Sequence, residues 1–152
     1  MPESDLTHER YMRRCIELAR RALSTADAPV GALVVLNGRV LAEGVESVKA
    51  LNDVTAHAEI EALRAACAVL GSTDLAGSTL YTSVEPCVMC AYAIRLARVG
   101  VLVTGAPATD AQLPFDGWAV LSNPEALPRR PLPSIIRGVL ARECQSAAID
   151  RF

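Results

Sequence analysis

Four side chains in two short segments have the chemistry to hold and use a metal ion: His57 and Glu59 in His57-Ala58-Glu59, and Cys87 and Cys90 in Pro86-Cys87-Val88-Met89-Cys90. Residues three apart on a helix share a face, so the two sulfurs can reach one ion. Pro86 stands where a helix has its first residue. That would put both cysteines in a first turn, where unpaired N–H groups and the helix dipole favour thiolate over thiol. His57 opens a second helix. One imidazole and two thiolates give Zn²⁺ three protein ligands and leave its fourth tetrahedral position to water, as in catalytic rather than closed structural sites. Glu59 is two residues from His57, and in an ideal helix the two would not share a face. They can converge only where the chain turns into the helix, with water between them. Zinc brings the pKa of such a water to roughly 7, and a nearby carboxylate can take the proton and pass it on. Taken singly, each feature has an ordinary explanation: a structural histidine, a redox or chance C-x-x-C, a glutamate facing a helix dipole. The combination, with each half opening a helix, points to one zinc ion per chain.

The elements that must position these groups are legible as periodicities. Tyr11, Cys15, Leu18 and Ala22 form an apolar stripe, so residues 7–24 read as an amphipathic helix. Ala32–Leu36 and Arg39–Val45 are β-prone runs joined by Asn37-Gly38, a strong hairpin signal because both turn residues take positive φ. A polar stretch, 46–55, leads to a helix over 56–70, for which Gly71 is a plausible C-cap. Ser78–Val84 reads as a strand, the segment from Pro86 to Ala97 as a helix and Val99–Thr104 as a strand. Proline-rich residues 105–133 read as a long loop with a short helix near 117–123. Ser134–Val139 and residues 140–152 read as a last strand and a closing helix. Alternating helices and strands predict an α/β domain spanning residues 1–152, with a mixed sheet between helices.

Composition narrows the classes. The chain has 152 residues, 51% of them apolar and 21% charged, which suits a globular domain with a real core. A net charge of −2 gives no long-range attraction to phosphate backbones, so nucleic acid is not the default partner, although a local basic patch stays possible. The polar start and the lack of a membrane-length apolar run lead us to expect a cytoplasmic protein without a membrane partner. Five cysteines, an odd number, suit a reducing compartment. Cys15, Cys67 and Cys144 read as small core residues on apolar helix faces.

Three stretches resemble the cytidine deaminase-like superfamily: Pro29-Val30-Gly31-Ala32, then residues 53–60 (DVTAHAEI), then residues 80–90 (LYTSVEPCVMC). The pattern H-x-E…P-C-x-x-C is that of zinc deaminases. The likeness spans about residues 8–105 and is nearest the branch holding tRNA adenosine, guanine and cytosine deaminases. It implies a three-layer α-β-α fold with a five-stranded mixed sheet, and a homodimer. It also implies hydrolytic deamination, with Glu59 shuttling protons to the ring nitrogen and to the leaving amine.

The substrate is less constrained. The branch usually carries a substrate-binding Asn where this chain has Glu46, after Gly44-Val45. Ionised Glu only accepts hydrogen bonds, so a pocket-facing Glu46 would select a ring with N–H donors; a solvated loop glutamate is the alternative. Guanine deaminases carry a Phe-Asp pair in the loop where this chain has Phe115-Asp116-Gly117-Trp118. By that resemblance Asp116 would touch the substrate's polar edge and Phe115 or Trp118 would cover its ring, unless they are packing residues beside a surface turn. Val30 would lie against the substrate, and backbone N–H groups near Ala58 and Cys87 would bind developing charge. A small free amino-heterocycle, first a guanine-like aminopurine and then aminopyrimidine or aminotriazine bases, is the first expectation. A tRNA adenosine deaminase is the second, and a non-catalytic zinc-stabilised binding module the third.

Overall fold

The computed structural model describes residues 4–108 and 117–149. Helix α1 (Asp5–Ala22) starts earlier than its apolar stripe suggests, because the Ser4 side chain accepts the Thr7 N–H and caps it. Strands β1 (Gly31–Leu36) and β2 (Arg39–Val45) form the expected hairpin, and Asn37 and Gly38 take φ of 51° and 75°. The polar stretch that follows hides a short helix, α2 (Val48–Leu51). Its first amides are bound by the buried Asp27, whose carboxylate accepts from Lys49 N at 2.6 Å and Ala50 N at 3.1 Å. A distant residue supplies that cap, so local sequence carries no signal for it.

Helix α3 (Ala58–Leu70) ends at Gly71 in the left-handed conformation, as expected of a C-cap. Strand β3 (Thr79–Val84), helix α4 (Val88–Leu96) and strand β4 (Val101–Ala106) follow. Helix α4 begins two residues later than the sequence reading has it. Cys87 is extended (ψ 174°) and its carbonyl is the first to accept a helical bond, from Ala91 N, so Pro86 lies outside the helix. Strand β4 begins late because Arg98, at φ 61°, closes α4. Helix α5 (Trp118–Leu121) falls in the expected place. Strand β5 is only Ser134–Ile136, since Gly138 and Leu140 have positive φ and break the extension, and α6 (Ala141–Ile149) closes the described chain.

The sheet order is β2-β1-β3-β4-β5. Strand β1 is antiparallel to β2 and β3, while β3–β4 and β4–β5 are parallel. Strand alternation sorts the core into two layers. Ala32, Val34, Leu80 and Leu102 pack with Ala58, Ala62, Leu63, Ala91 and Ile94 of α3 and α4. Leu33, Val35, Tyr81 and Val103 pack with Tyr11, Cys15 and Ile16 of α1 and with Cys144 of α6. The three-layer α/β fold with a five-stranded mixed sheet is therefore present. Gly44 lets α3 press on β2, for a Cβ there would sit 2.1 Å from Ala58 O. Cys15 and Cys144 are buried as expected, whereas Cys67 is partly exposed beside an apolar groove. Among the described residues no helix is long and apolar enough to cross a membrane.

Candidate active site

Two helix N-termini meet at the site. His57 is the N-cap of α3 and Cys87 the N-cap of α4, both with extended backbone and neither making a side-chain cap bond. Their side chains turn to each other instead. His57 Nδ1 lies 3.6 Å from Cys87 Sγ and 3.5 Å from Cys90 Sγ. The extended N-cap lets His57 and Glu59, two residues apart, both approach Cys90 despite helical geometry. Glu59 is buried in the first turn of α3, with Oε2 3.5 Å from Cys90 Sγ and Oε1 accepting from Thr82 Oγ1 at 2.7 Å.

The donor set fits zinc. Bond lengths of about 2.3 Å to sulfur and about 2.0–2.1 Å to nitrogen, at tetrahedral angles, separate S and N by about 3.5 Å, and the two observed separations match. The ligand atoms of His57, Cys87 and Cys90 all lie within 4.8 Å of one another, and this is the one such group among the described residues. The Cys87 thiol is already polarised toward thiolate. Cys87 is pulled down to about 4, first by a hydrogen bond from Cys90 and then, against burial, by His57. Hydrogen bonding to Cys87 raises His57 to about 9, while the same contact and burial push Cys90 up. Burial raises Glu59, and the Thr82 hydrogen bond works against it.

The expected substrate contacts fall around this centre unevenly. Val30 is half-buried, and its carbonyl accepts the Glu46 N–H at 3.1 Å. Glu46 is not a solvated loop residue: it is 9% exposed, and Oε1 accepts the Ala58 N–H at 2.8 Å. That N–H is therefore taken up by Glu46 rather than free for a ligand. Burial, and then the Glu59 charge, raise Glu46 to about 7. Trp118 donates its indole N–H to Glu85 at 3.1 Å, and the Arg137 guanidinium lies 4.4 Å from its ring centroid. Phe115 and Asp116 lie outside the described residues.

Two participants carried no sequence signal of their own. Thr82 is one, and the rule that a buried hydroxyl has a partner was the only available hint in a β-prone run. Arg95 is the other. It is 1% exposed, and its two terminal nitrogens donate to four carbonyls, of Val120, Asn123, Leu127 and Arg130. It fastens the 118–130 segment to the helix that bears Cys87 and Cys90.

Comparison with known proteins agrees with this geometry. Residues 5–106 match the cytidine and deoxycytidylate deaminase zinc-binding region. The chain is 46% identical over 148 residues to a tRNA-specific adenosine deaminase of Agrobacterium fabrum, covering 97% of this chain and 93% of the relative. It is 43% identical over 107 residues to a guanine deaminase of Bacillus subtilis, covering 70% and 69%. It spans only 11% of the length of the chloroplastic tRNA(adenine(34)) deaminase of Arabidopsis thaliana. A solved structure from studies of A-to-I editing by tRNA:A34 deaminases superposes with a TM-score of 0.82 at 35% identity, over 91% of this chain and 98% of that one. With the motif, the fold and a His-Cys-Cys donor set in agreement, the chain belongs to the cytidine and deoxycytidylate deaminase family and is a zinc-dependent hydrolytic deaminase.

Proposed function

We propose that the substrate is an adenosine held in tRNA, deaminated to inosine. The observation that carries this reading is the match to the Agrobacterium tRNA-specific adenosine deaminase over 97% of this chain and 93% of that one. It reverses the order that composition suggested. A net charge of −2 describes the whole surface, whereas phosphate contacts need only a local patch.

His57, Cys87 and Cys90 would hold the zinc. When bound, zinc supplies a Lewis-acidic centre that makes a water nucleophilic near neutral pH. Glu59 takes the proton released as water adds to the amino-bearing ring carbon and delivers it to the adjacent ring nitrogen. It then passes a proton to the departing amine. Water and the C–NH₂ group become a C=O group and ammonia, with no redox change. Val30 packs beside the ring.

Glu46 favours a second reading, a free amino-heterocycle such as guanine. Its Oε1 is engaged by Ala58 N, and Oε2 makes no hydrogen bond to any described residue. In its ionised form, which it takes above about pH 7, Glu46 is an acceptor matched by a ring N–H. Adenine within a nucleoside has none, its only donor being the amino group that leaves; a free purine has at least one. We also infer a homodimer. Val88, Tyr92 and Leu96 stand 41–45% exposed along one stripe of α4, beside a groove of about 230 Å³ lined by Ile60, Leu63, Cys67 and Ala93.

The deciding experiment offers the zinc-loaded enzyme an anticodon stem-loop containing adenosine, and separately a panel of free bases including guanine. Inosine formation with steep salt dependence supports the first reading. Ammonia from a free base alone replaces it with the second, and Glu46→Asn should then change the preferred base. Sedimentation of wild type and Tyr92→Glu tests the dimer, which a monomeric wild type excludes.

A further inference from the structure

We infer that Thr82 is a positioning residue for catalysis, aiming the Glu59 carboxylate at the reaction centre. The inference rests on the reading of Glu59 as the proton shuttle. Thr82 sits in the middle of the sheet, paired with Ala32 of β1 and Thr104 of β4, and is fully buried. It shares a strand face with Leu80, the face on which α3 packs. Its Oγ1 lies 2.7 Å from Glu59 Oε1 and 3.0 Å from the Val84 carbonyl.

Three consequences follow from those positions. A glutamate has several rotatable bonds, and a buried one with no fixed donor would spread over several rotamers. Thr82 fixes one oxygen, which turns the other, Oε2, toward Cys90 Sγ at 3.5 Å. Cys90 can donate to Glu59 only as a thiol, and a thiolate bound to metal has no proton to give. In the zinc-loaded protein Thr82 is then the only side chain of another described residue that donates to Glu59. Finally, a β-branched side chain on a central strand is stiff at χ1. The hydroxyl has a single proton; directed to Glu59 Oε1 at 2.7 Å, it leaves the Val84 carbonyl at 3.0 Å as the longer, competing acceptor.

The experiment compares Thr82→Val, which keeps the shape and loses the hydroxyl, with Thr82→Ser, which keeps the hydroxyl. Thr82→Ala serves as a second hydroxyl-free variant should the valine variant not fold. A misaimed catalytic group costs on the order of 10²-fold, so kcat should fall about 10- to 100-fold in the hydroxyl-free variants. KM should stay within about twofold, and Thr82→Ser should recover most of kcat. Zinc affinity by chelator competition should match wild type. A crystal structure of the zinc-loaded valine variant should show Glu59 in more than one rotamer. Unchanged kcat, an equal defect in Thr82→Ser, or a defect confined to KM or zinc affinity overturns the inference. Glu59→Gln separates the two levels: if it is active, the shuttle reading itself fails, and if it is inactive while Thr82→Val is normal, only the role of Thr82 fails.

Discussion

Replacing Arg95 by methionine should loosen the segment that follows α5 without melting the sheet. Arg95 lies in the last turn of α4, and its NH1 donates to Val120 O at 2.8 Å and Asn123 O at 2.6 Å. Its NH2 donates to Leu127 O and Arg130 O, both at 2.8 Å. Among the described residues it makes no ion pair, and its Nε has no hydrogen-bond partner. The charge is therefore solvated by carbonyl dipoles alone, one of them, that of Val120, in the last turn of α5, where orphan acceptors need donors. Hydrogen bonds from a charged donor contribute about 1.5–3 kcal/mol each, but that sum overstates the loss. Asn123 is exposed and Leu127 and Arg130 are half-exposed, so water can replace three of the donors. The Val120 carbonyl is buried, and an apolar replacement also removes the cost of burying a cation. The net loss should be about 2–4 kcal/mol, equivalent to one or two orphaned carbonyls plus lost packing. Urea unfolding gives the global value, and hydrogen exchange should show protection lost at Val120, Leu121 and Ser122 but kept in β1, β3 and β4. Lysine should be no better than methionine, because one ammonium cannot span four carbonyls. Stability within about 0.5 kcal/mol of wild type, the range of neutral surface changes, together with unchanged protection at those amides, would refute this account of the clamp.

Other perturbations follow from the same structure. Cys90→Ser should lower bound zinc from about one per chain toward none, since a hydroxyl is a poor zinc ligand; elemental analysis after dialysis measures it, and full retention would exclude Cys90 as a ligand. Gly44→Ala should destabilise the protein by about 1–3 kcal/mol and lower kcat, because the new Cβ would sit 2.1 Å from Ala58 O and push α3, with His57 and Glu59, off the sheet; thermal melting and turnover read both. Asp27 titrates below its ordinary range: burial opposes this, but hydrogen bonds from Lys49 N, Thr25 and Ala50 N outweigh it. Its stabilisation is thus present above the unfolded-state value of about 3.9 and is lost as pH falls through the depressed folded-state value. Asp27→Asn should therefore cost about 1 kcal/mol at neutral pH, as a lost helix cap does, and the gap from wild type should close on acidification. A gap that is independent of pH would contradict this.

The sequence by itself determined most of the elements and the candidate metal ligands, because both are local. Alternation marks β1 and β3, the 3.6-residue stripe marks α1, and Asn37-Gly38 can satisfy its φ angles in few ways other than a hairpin. His57, Cys87 and Cys90 are specified by residue type and spacing, although not the backbone that joins them: the spacing predicts a helix from Pro86, and the helix begins at Val88. Only the tertiary structure decided what lies between elements. Asp27 caps α2 from 21 residues before it, Thr82 reaches Glu59 across the gap between sheet and helix, and Arg95 gathers carbonyls from a segment 25–35 residues downstream. Glu46 shows the division most clearly. The resemblance implies an Asn where Glu46 stands, whereas nothing local signals the burial of Glu46 against the start of α3. Local pattern encodes which face of an element is apolar. Which polar groups end up paired depends on where distant backbone atoms arrive, and one sequence carries no periodic signal for that.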